Sequence, residues 1–202
     1  MEKFQKLKSF YLQLFPEMTD ENWDKCAAML KIRKIKKRDY YLKVGEVCNT
    51  VAFVNSGLVR IYYELDDKEK IICFIGEHQY VSEYQSFLTR QPSMIYIQAL
   101  EDLELVETSY QDLQHLYSTM PEANIIGRLI AEQLFVNINA TGLLERMESI
   151  EQRYLRLIEE QPELLQKVPQ YMIASYLGIT PEAFSRVKAR MNKDKKPASL
   201  SY

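Results

Sequence analysis

Hydrophobic positions along the chain change their spacing three times, and each spacing predicts a different kind of element. In the first 31 residues Phe4, Leu7, Phe10, Tyr11 and Leu14 recur at helical intervals until Pro16 stops the helix. Thr19 or Asp20 can cap a second helix carrying Trp23, Ala27 and Leu30, with acids in its first turn. From residue 32 to about 109 the pattern shortens to strand-length stretches at 32–35, 40–44, 51–54, 58–65, 70–75, 94–99 and 103–107. They are separated by Gly45-Glu46, Asn55-Ser56-Gly57, Asp66-Asp67-Lys68, Gly76-Glu77 and Glu101-Asp102. In such turns Gly supplies positive φ and Asn or Asp bonds the local backbone. Many short strands of this kind predict a sandwich or barrel-like roll, here interrupted by one helix over 82–88.

The most regular pattern follows Pro121. Ile126, Leu129, Gln133, Val136, Ala140, Leu143, Met147 and Ile150 alternate spacings of three and four. This is a heptad seam, the pattern of two helices in a left-handed supercoil, and it predicts a homodimer. A single helix docked on its own domain is the alternative. Gln133 and the small Ala140 are compatible with a two-stranded register.

Helical periodicity resumes over 150–160 and breaks at Gln161-Pro162. Residues 169–191 then read as two short helices. Pro169 suits a first turn, and Met172, Ile173, Ala174 and Leu177 form an inward stripe, with Ala174 small where a second helix crosses closely. Gly178 fits a left-handed C-cap and Ile179 a buried plug. Thr180 fits an N-cap, Pro181 the first helical position and Glu182 the first turn. Phe184 and Val187 point inward, leaving Glu182, Ser185, Arg186 and Lys188 partly outward. Two short helices joined by a Gly-containing turn, the second one basic, form the helix-turn-helix pattern. An ordinary αα-hairpin is the alternative, disfavoured by the charge and spacing. In a major groove Arg186 can donate two bonds to a guanine, and Glu182 can accept from a cytosine amino group. Gln170, Thr180, Ser185, Lys188 and Arg190 are better placed for phosphates.

Charge sharpens this reading. The net charge of −2 conceals a split: residues 151–202 carry nine Lys/Arg against six Asp/Glu, and residues 1–150 carry 17 against 22. Arg186, Lys188, Arg190, Lys193, Lys195 and Lys196 face Asp194 alone. The basic end points to a polyanion partner, double-stranded DNA. The tail over 194–202 reads as loose. Cys26, Cys48 and Cys73 are scattered, and His78 and His115 are the two histidines. These supply neither a disulfide framework nor a convergent metal-ligand set. No nucleophile elbow or Gly-rich phosphate loop is present, so neither an enzyme, a metal nor a cofactor is expected. No apolar run approaches the roughly 20 residues of a membrane span, and the charged N-terminus lacks a secretory h-region. A cytoplasmic protein without membrane contact is the expectation.

In this order of parts, and most closely in Ile173-Ala-Ser-Tyr-Leu-Gly-Ile-Thr-Pro-Glu-Ala-Phe-Ser-Arg186, the chain resembles the Crp/Fnr family of transcription regulators. The resemblance spans nearly the whole chain and implies an α+β fold in three parts. A β-roll sensor (a jelly-roll-like double-stranded β-helix, similar to cyclic nucleotide-binding domains) would occupy 1–120. A dimerisation helix would occupy 121–150, and a C-terminal winged helix-turn-helix 151–202. Family base-reading positions fall on Pro181, Glu182 and Arg186. Pro181 departs from the basic residue often found there, so half-site preference should differ. Cyclic-nucleotide binders of the family carry Gly-Glu and, about ten residues later, an Arg and a small hydroxyl residue. Here Ser82-Glu83 replaces the first pair, Pro92-Ser93 stands where the phosphate-binding Arg would be, and Arg90 lies a few residues early. Without a positioned Arg, burying a phosphate is costly, which argues against cAMP. An unknown small-molecule effector remains open, with Ser82, Glu83, Tyr84, Arg90, Tyr96 and Asn139 as its candidate pocket. A degenerate cassette that merely packs on the dimer helix is the alternative. The oxygen-sensing branch's N-terminal cysteine cluster is missing. The expectation is a dimeric, sequence-specific DNA-binding regulator, meeting RNA polymerase if it activates. The competing readings are a protein-binding adaptor of the same architecture and a cyclic-nucleotide-responsive regulator.

Overall fold

The computed structural model describes residues 2–194. A 3-10 turn (Glu2–Phe4) leads into α1 (Gln5–Leu14), and α2 (Asp20–Ala27) starts at Thr19, whose hydroxyl accepts from the Asn22 amide at 3.2 Å. Eight strands follow: β1 (Lys31–Ile35), β2 (Tyr40–Leu42), β3 (Thr50–Ser56), β4 (Val59–Leu65), β5 (Lys68–Ile75), β6 (Tyr80–Val81), β7 (Tyr96–Ala99) and β8 (Leu103–Ser109). The helix α3 (Tyr84–Thr89) interrupts them. Each of the seven expected stretches contains a strand; β6, two residues long, carries too little pattern to be read. Then come α4 (Tyr110–Thr119), α5 (Pro121–Met147), α6 (Ile150–Glu160), α7 (Leu164–Lys167), α8 (Gln170–Tyr176) and α9 (Pro181–Asp194). The expected helix over 82–88 begins later, because Glu83 is its N-cap and accepts from the Ser86 amide at 2.7 Å. The sequence reading missed α4, although Ser109 caps it through the Asp112 amide at 3.1 Å.

The strands form two four-stranded sheets, ordered β1-β8-β3-β6 and β2-β7-β4-β5. In the first, β3 runs antiparallel to β8 with Ala52 opposite Glu107 and Phe53 opposite Val106. Alternation sends successive side chains to opposite faces. Ala52, Val54 and Leu105 face the roll interior with Val59, Ile61, Ile97 and Phe87. Phe53 and Val106 face the other way, where Leu7, Trp23, Leu116, Ala123 and Ile126 cover them. That sheet is thus buried on both faces where β3 runs, which explains why Val51–Val54 reads as an unbroken apolar run. Between β3 and β4 the chain turns at Gly57, with φ of 100°, where a Cβ would lie 2.5 Å from the Asp102 carbonyl oxygen. Only glycine fits there.

By its internal contacts the chain divides into two compact units. The first runs to Glu64 and from Ile72 to Val136; the second joins Leu65–Ile71 to the chain from Asn137 onward. In the second, Tyr154, Leu157, Leu164, Met172, Ile173, Ala174, Leu177, Phe184 and Val187 are buried, with Tyr154 edge-on to Phe184 at 5.1 Å. The Ser175 hydroxyl accepts from the Ile71 amide at 3.1 Å and donates to the Glu69 carbonyl at 3.0 Å. No strand follows Ser109 among the described residues. Lys195, Lys196 and the rest of the expected loose tail lie outside those residues.

Candidate nucleic-acid interface

The helix pair is built as its residue types dictate. Met172, Ile173, Ala174 and Leu177 are buried on α8. Gly178 takes the left-handed conformation with φ of 75°. The Thr180 hydroxyl accepts from the Ala183 amide at 3.2 Å, and Pro181 opens α9. Ile179, expected as a buried plug, is only half-buried. Phe184 and Val187 anchor α9 inward, so Glu182, Ser185 and Arg186 stand exposed on one side of its first two turns.

The candidate contacts differ in how free they are. The Glu182 carboxyl is held below the usual carboxylate range, first by its own backbone amide at the helix start, then by the Thr180 hydroxyl and Arg186. It is therefore an ionised acceptor at neutral pH. Ser185 donates to the Pro181 carbonyl at 3.0 Å, and Lys188 lies over the Phe184 ring at 5.7 Å. Arg190 is paired with Glu151, so a phosphate contact there would have to replace that carboxylate. Gln170 and Thr180 are exposed.

Sequence reasoning missed the groups that hold this pair in place. Arg153 donates to the carbonyls of Tyr176 and Leu177 at 3.3 Å each, satisfying the C-terminal end of α8. Ser149 and Gln152 form a reciprocal capping box at the start of α6. Arg156 grips Glu148 through two nitrogens at 3.0–3.3 Å across the corner between α5 and α6. The Ser-x-x-Gln spacing was legible; the arginine contacts carry no periodic signal.

On α5, Gln133, Val136, Ala140, Leu143 and Met147 are exposed and Leu129 is half-buried. Phe135, Ile138 and Leu144 add to the exposed apolar surface. Ile126 departs from the expected seam. It is 3% exposed, packed in the core of the first unit, and has no surface left for a partner helix.

Of the six residues offered as an effector pocket, the five in the first unit take different places. Glu83 caps α3. Arg90, with φ of 61°, donates to the carbonyls of Cys48 and Phe87 at 2.9 Å each and to the Asn49 side chain, and lies 4.4 Å over the Tyr110 ring. Tyr96 stacks on Tyr62 at 4.9 Å, in the other sheet. Ser82 and Tyr84 instead line an apolar cavity shared with α1, α4 and α5. Asn139 lies on the part of α5 that belongs to the second unit. Two of the six thus have structural roles, Glu83 as helix cap and Arg90 as loop staple. Among the described residues no three His, Cys, Asp or Glu come together as a metal site, and no helix is long and apolar enough to cross a membrane.

Residues 32–120 match the cyclic nucleotide-binding domain family. Over 178 residues the chain is 24% identical to the CRP-like protein Clp of Xanthomonas campestris pv. campestris, covering 80% of this chain and 77% of that one. A protein of Eubacterium rectale assigned to the Crp/Fnr family has the same fold at a TM-score of 0.68, with 17% identity over 91% of this chain and 88% of that one. In fold the chain is similar to proteins of the Crp/Fnr family. The CLP structure from Xanthomonas campestris, described as a c-di-GMP-responsive global regulator, agrees at a TM-score of 0.67 and 23% identity, covering 87% of this chain and 93% of that one.

Proposed function

We propose that the protein is a dimeric, sequence-specific DNA-binding transcription regulator that does not respond to cAMP. The observation that carries this reading is the exposed triad Glu182, Ser185 and Arg186 on the capped first turns of α9, on a helix pair whose opposite face is buried. That geometry lets a major groove receive the N-terminal half of α9, with Arg186 on guanine and Glu182 on a cytosine amino group. Thr180, Gln170, Ser185, Lys188 and Arg190 serve the phosphates. The exposed face of α5 from Val136 to Met147 supports pairing with a second copy, which would present two recognition helices to two half-sites. The case against cAMP rests on Arg90. A phosphate that recruited this guanidinium would break its bonds to Cys48 and Phe87, and the Pro92-Ser93 pair offers no replacement cation. An activator of this kind would meet RNA polymerase as well.

Fluorescence anisotropy with a labelled mixed-sequence duplex of about 30 base pairs, titrated across salt concentrations, tests the DNA reading. A binding constant falling steeply with salt is expected, because neutralising phosphates releases counterions. Absence of binding at low salt contradicts it and favours the adaptor.

A further inference from the structure

One feature of the first unit is used neither by the helix-turn-helix nor by the nucleotide cassette. Beneath α5, on the outer face of the β1-β8-β3-β6 sheet, lies a cavity of about 130 Å³. It is walled by α1 through Tyr11, by α4 through Tyr117 and by α5 through Gly127, Ile130 and Ala131. Cavities of this order, when apolar, hold a single small ring. It lies on the face of that sheet opposite to the roll interior, where a nucleotide cassette would hold its ligand.

Its chemistry is lopsided. Every residue lining it is uncharged, and most of its wall is hydrocarbon. The polar exceptions are hydroxyls and the Cys26 thiol. Tyr80 and Tyr11 share one hydrogen bond at 3.0 Å, so one proton of the two phenols is left without an acceptor. The Tyr117 hydroxyl, pressed against Gly127 where a Cβ would lie 2.2 Å away, makes no hydrogen bond among the described residues. Desolvation pushes Tyr11 and Tyr80 far above the usual phenol range and Tyr117 up to about 12, so all three stay protonated donors at neutral pH. Donors without acceptors in an apolar enclosure favour a ligand that supplies one. With no cation in the wall, an anion would enter uncompensated.

We propose that this cavity is a binding site for a small uncharged molecule of about ten heavy atoms or fewer, an apolar ring or short chain bearing one carbonyl-type acceptor, held between the tyrosine hydroxyls and α5. The molecule would sit against Gly127, Ile130 and Ala131, and so bear on the helix whose further turns carry the exposed apolar stripe. Any consequence for DNA reading rests on the function proposed above. The test of the site uses no DNA, so the two can fail separately.

Isothermal titration of the full chain with three probes of matched size decides it: acetophenone, ethylbenzene and benzoate. Acetophenone is expected to bind saturably with a dissociation constant of about 10 µM to 1 mM. Ethylbenzene, which lacks the acceptor, should bind about tenfold more weakly, and benzoate not at all. Ala131→Phe, which fills the cavity, should abolish binding, and Tyr117→Phe should weaken acetophenone alone by about five- to tenfold. Both variants should unfold at the wild-type temperature. No saturable binding of acetophenone overturns the proposal. So does benzoate binding more tightly than acetophenone, ethylbenzene matching acetophenone, or binding that survives Ala131→Phe and Tyr117→Phe unchanged.

Discussion

Replacing Leu143 by glutamate separates the folding of one chain from the association of two. Val136, Leu143 and Met147 are 58%, 56% and 73% exposed. Full burial of such side chains is worth about 1.5–3 kcal/mol each, so covering what is still exposed gains roughly 1–2 kcal/mol per residue. Over these three positions on two protomers that is roughly 6–12 kcal/mol before the cost of association. Leu143→Glu removes two of the six contributions and places two carboxylates in an apolar seam. The dimer should weaken by about 3 kcal/mol or more, about a hundredfold in dissociation constant. Thermal unfolding of the isolated protomer should hardly move, because the side chain it alters is already in water. Sedimentation velocity over a concentration series reads the first quantity, and circular dichroism at a concentration where both proteins are monomeric reads the second. A wild-type protein that stays monomeric at every concentration, or a variant that dimerises as tightly as wild type, is incompatible with pairing through this face.

Two further predictions follow from local geometry. Gly57→Ala should destabilise the first unit by about 3 kcal/mol or more, since strain at φ of 100° is joined by a backbone clash; Gly178→Ala, at φ of 75° with open space around its Cβ, should cost only about 1 kcal/mol, and equal losses in urea titrations would contradict this. Burial pushes the Cys26 thiol up to about 11 and the Cys73 thiol up to about 12. Their neutral forms are therefore favoured in the folded state. Below the unfolded thiol pKa of about 8.5 this contributes nothing that changes with pH, and stability falls as pH rises from there towards the folded values. Iodoacetamide at pH 8 should label Cys26 at least tenfold more slowly in the native protein than in urea, and equal rates would contradict its burial.

Where one face of an element was buried and the other wet, the sequence was legible. The α8–α9 pair could be placed to the residue because Gly178, Thr180 and Pro181 each have one inexpensive position in a helix-turn-helix. The strands of the roll were visible through their turn residues. What escaped was non-periodic. The two residues of β6 are too few for alternation to show, and α4 hid behind its capping serine. Ile126 fits the heptad spacing yet faces inward, because the start of α5 is claimed by the first unit before the exposed stripe begins. The candidate effector residues take separate structural roles for a similar reason. Adjacency in the chain put Glu83 and Arg90 together, but one became a cap and the other a staple across the Cys48–Asn49 loop. The cavity beneath α5 draws on residues from Leu7 to Leu134, too widely spread to be read as one site.

In the function proposed, α9 reads base edges as one half of a symmetric dimer. Selection of bound sequences from a random duplex library, run in parallel with wild type and Arg186→Ala, is the deciding experiment. Enrichment of a two-fold symmetric site with half-sites about one helical turn apart is expected, with loss of preference at one base pair per half-site in the variant. Retention of the same enriched sequence by Arg186→Ala, or an enriched site without two-fold symmetry, would contradict it.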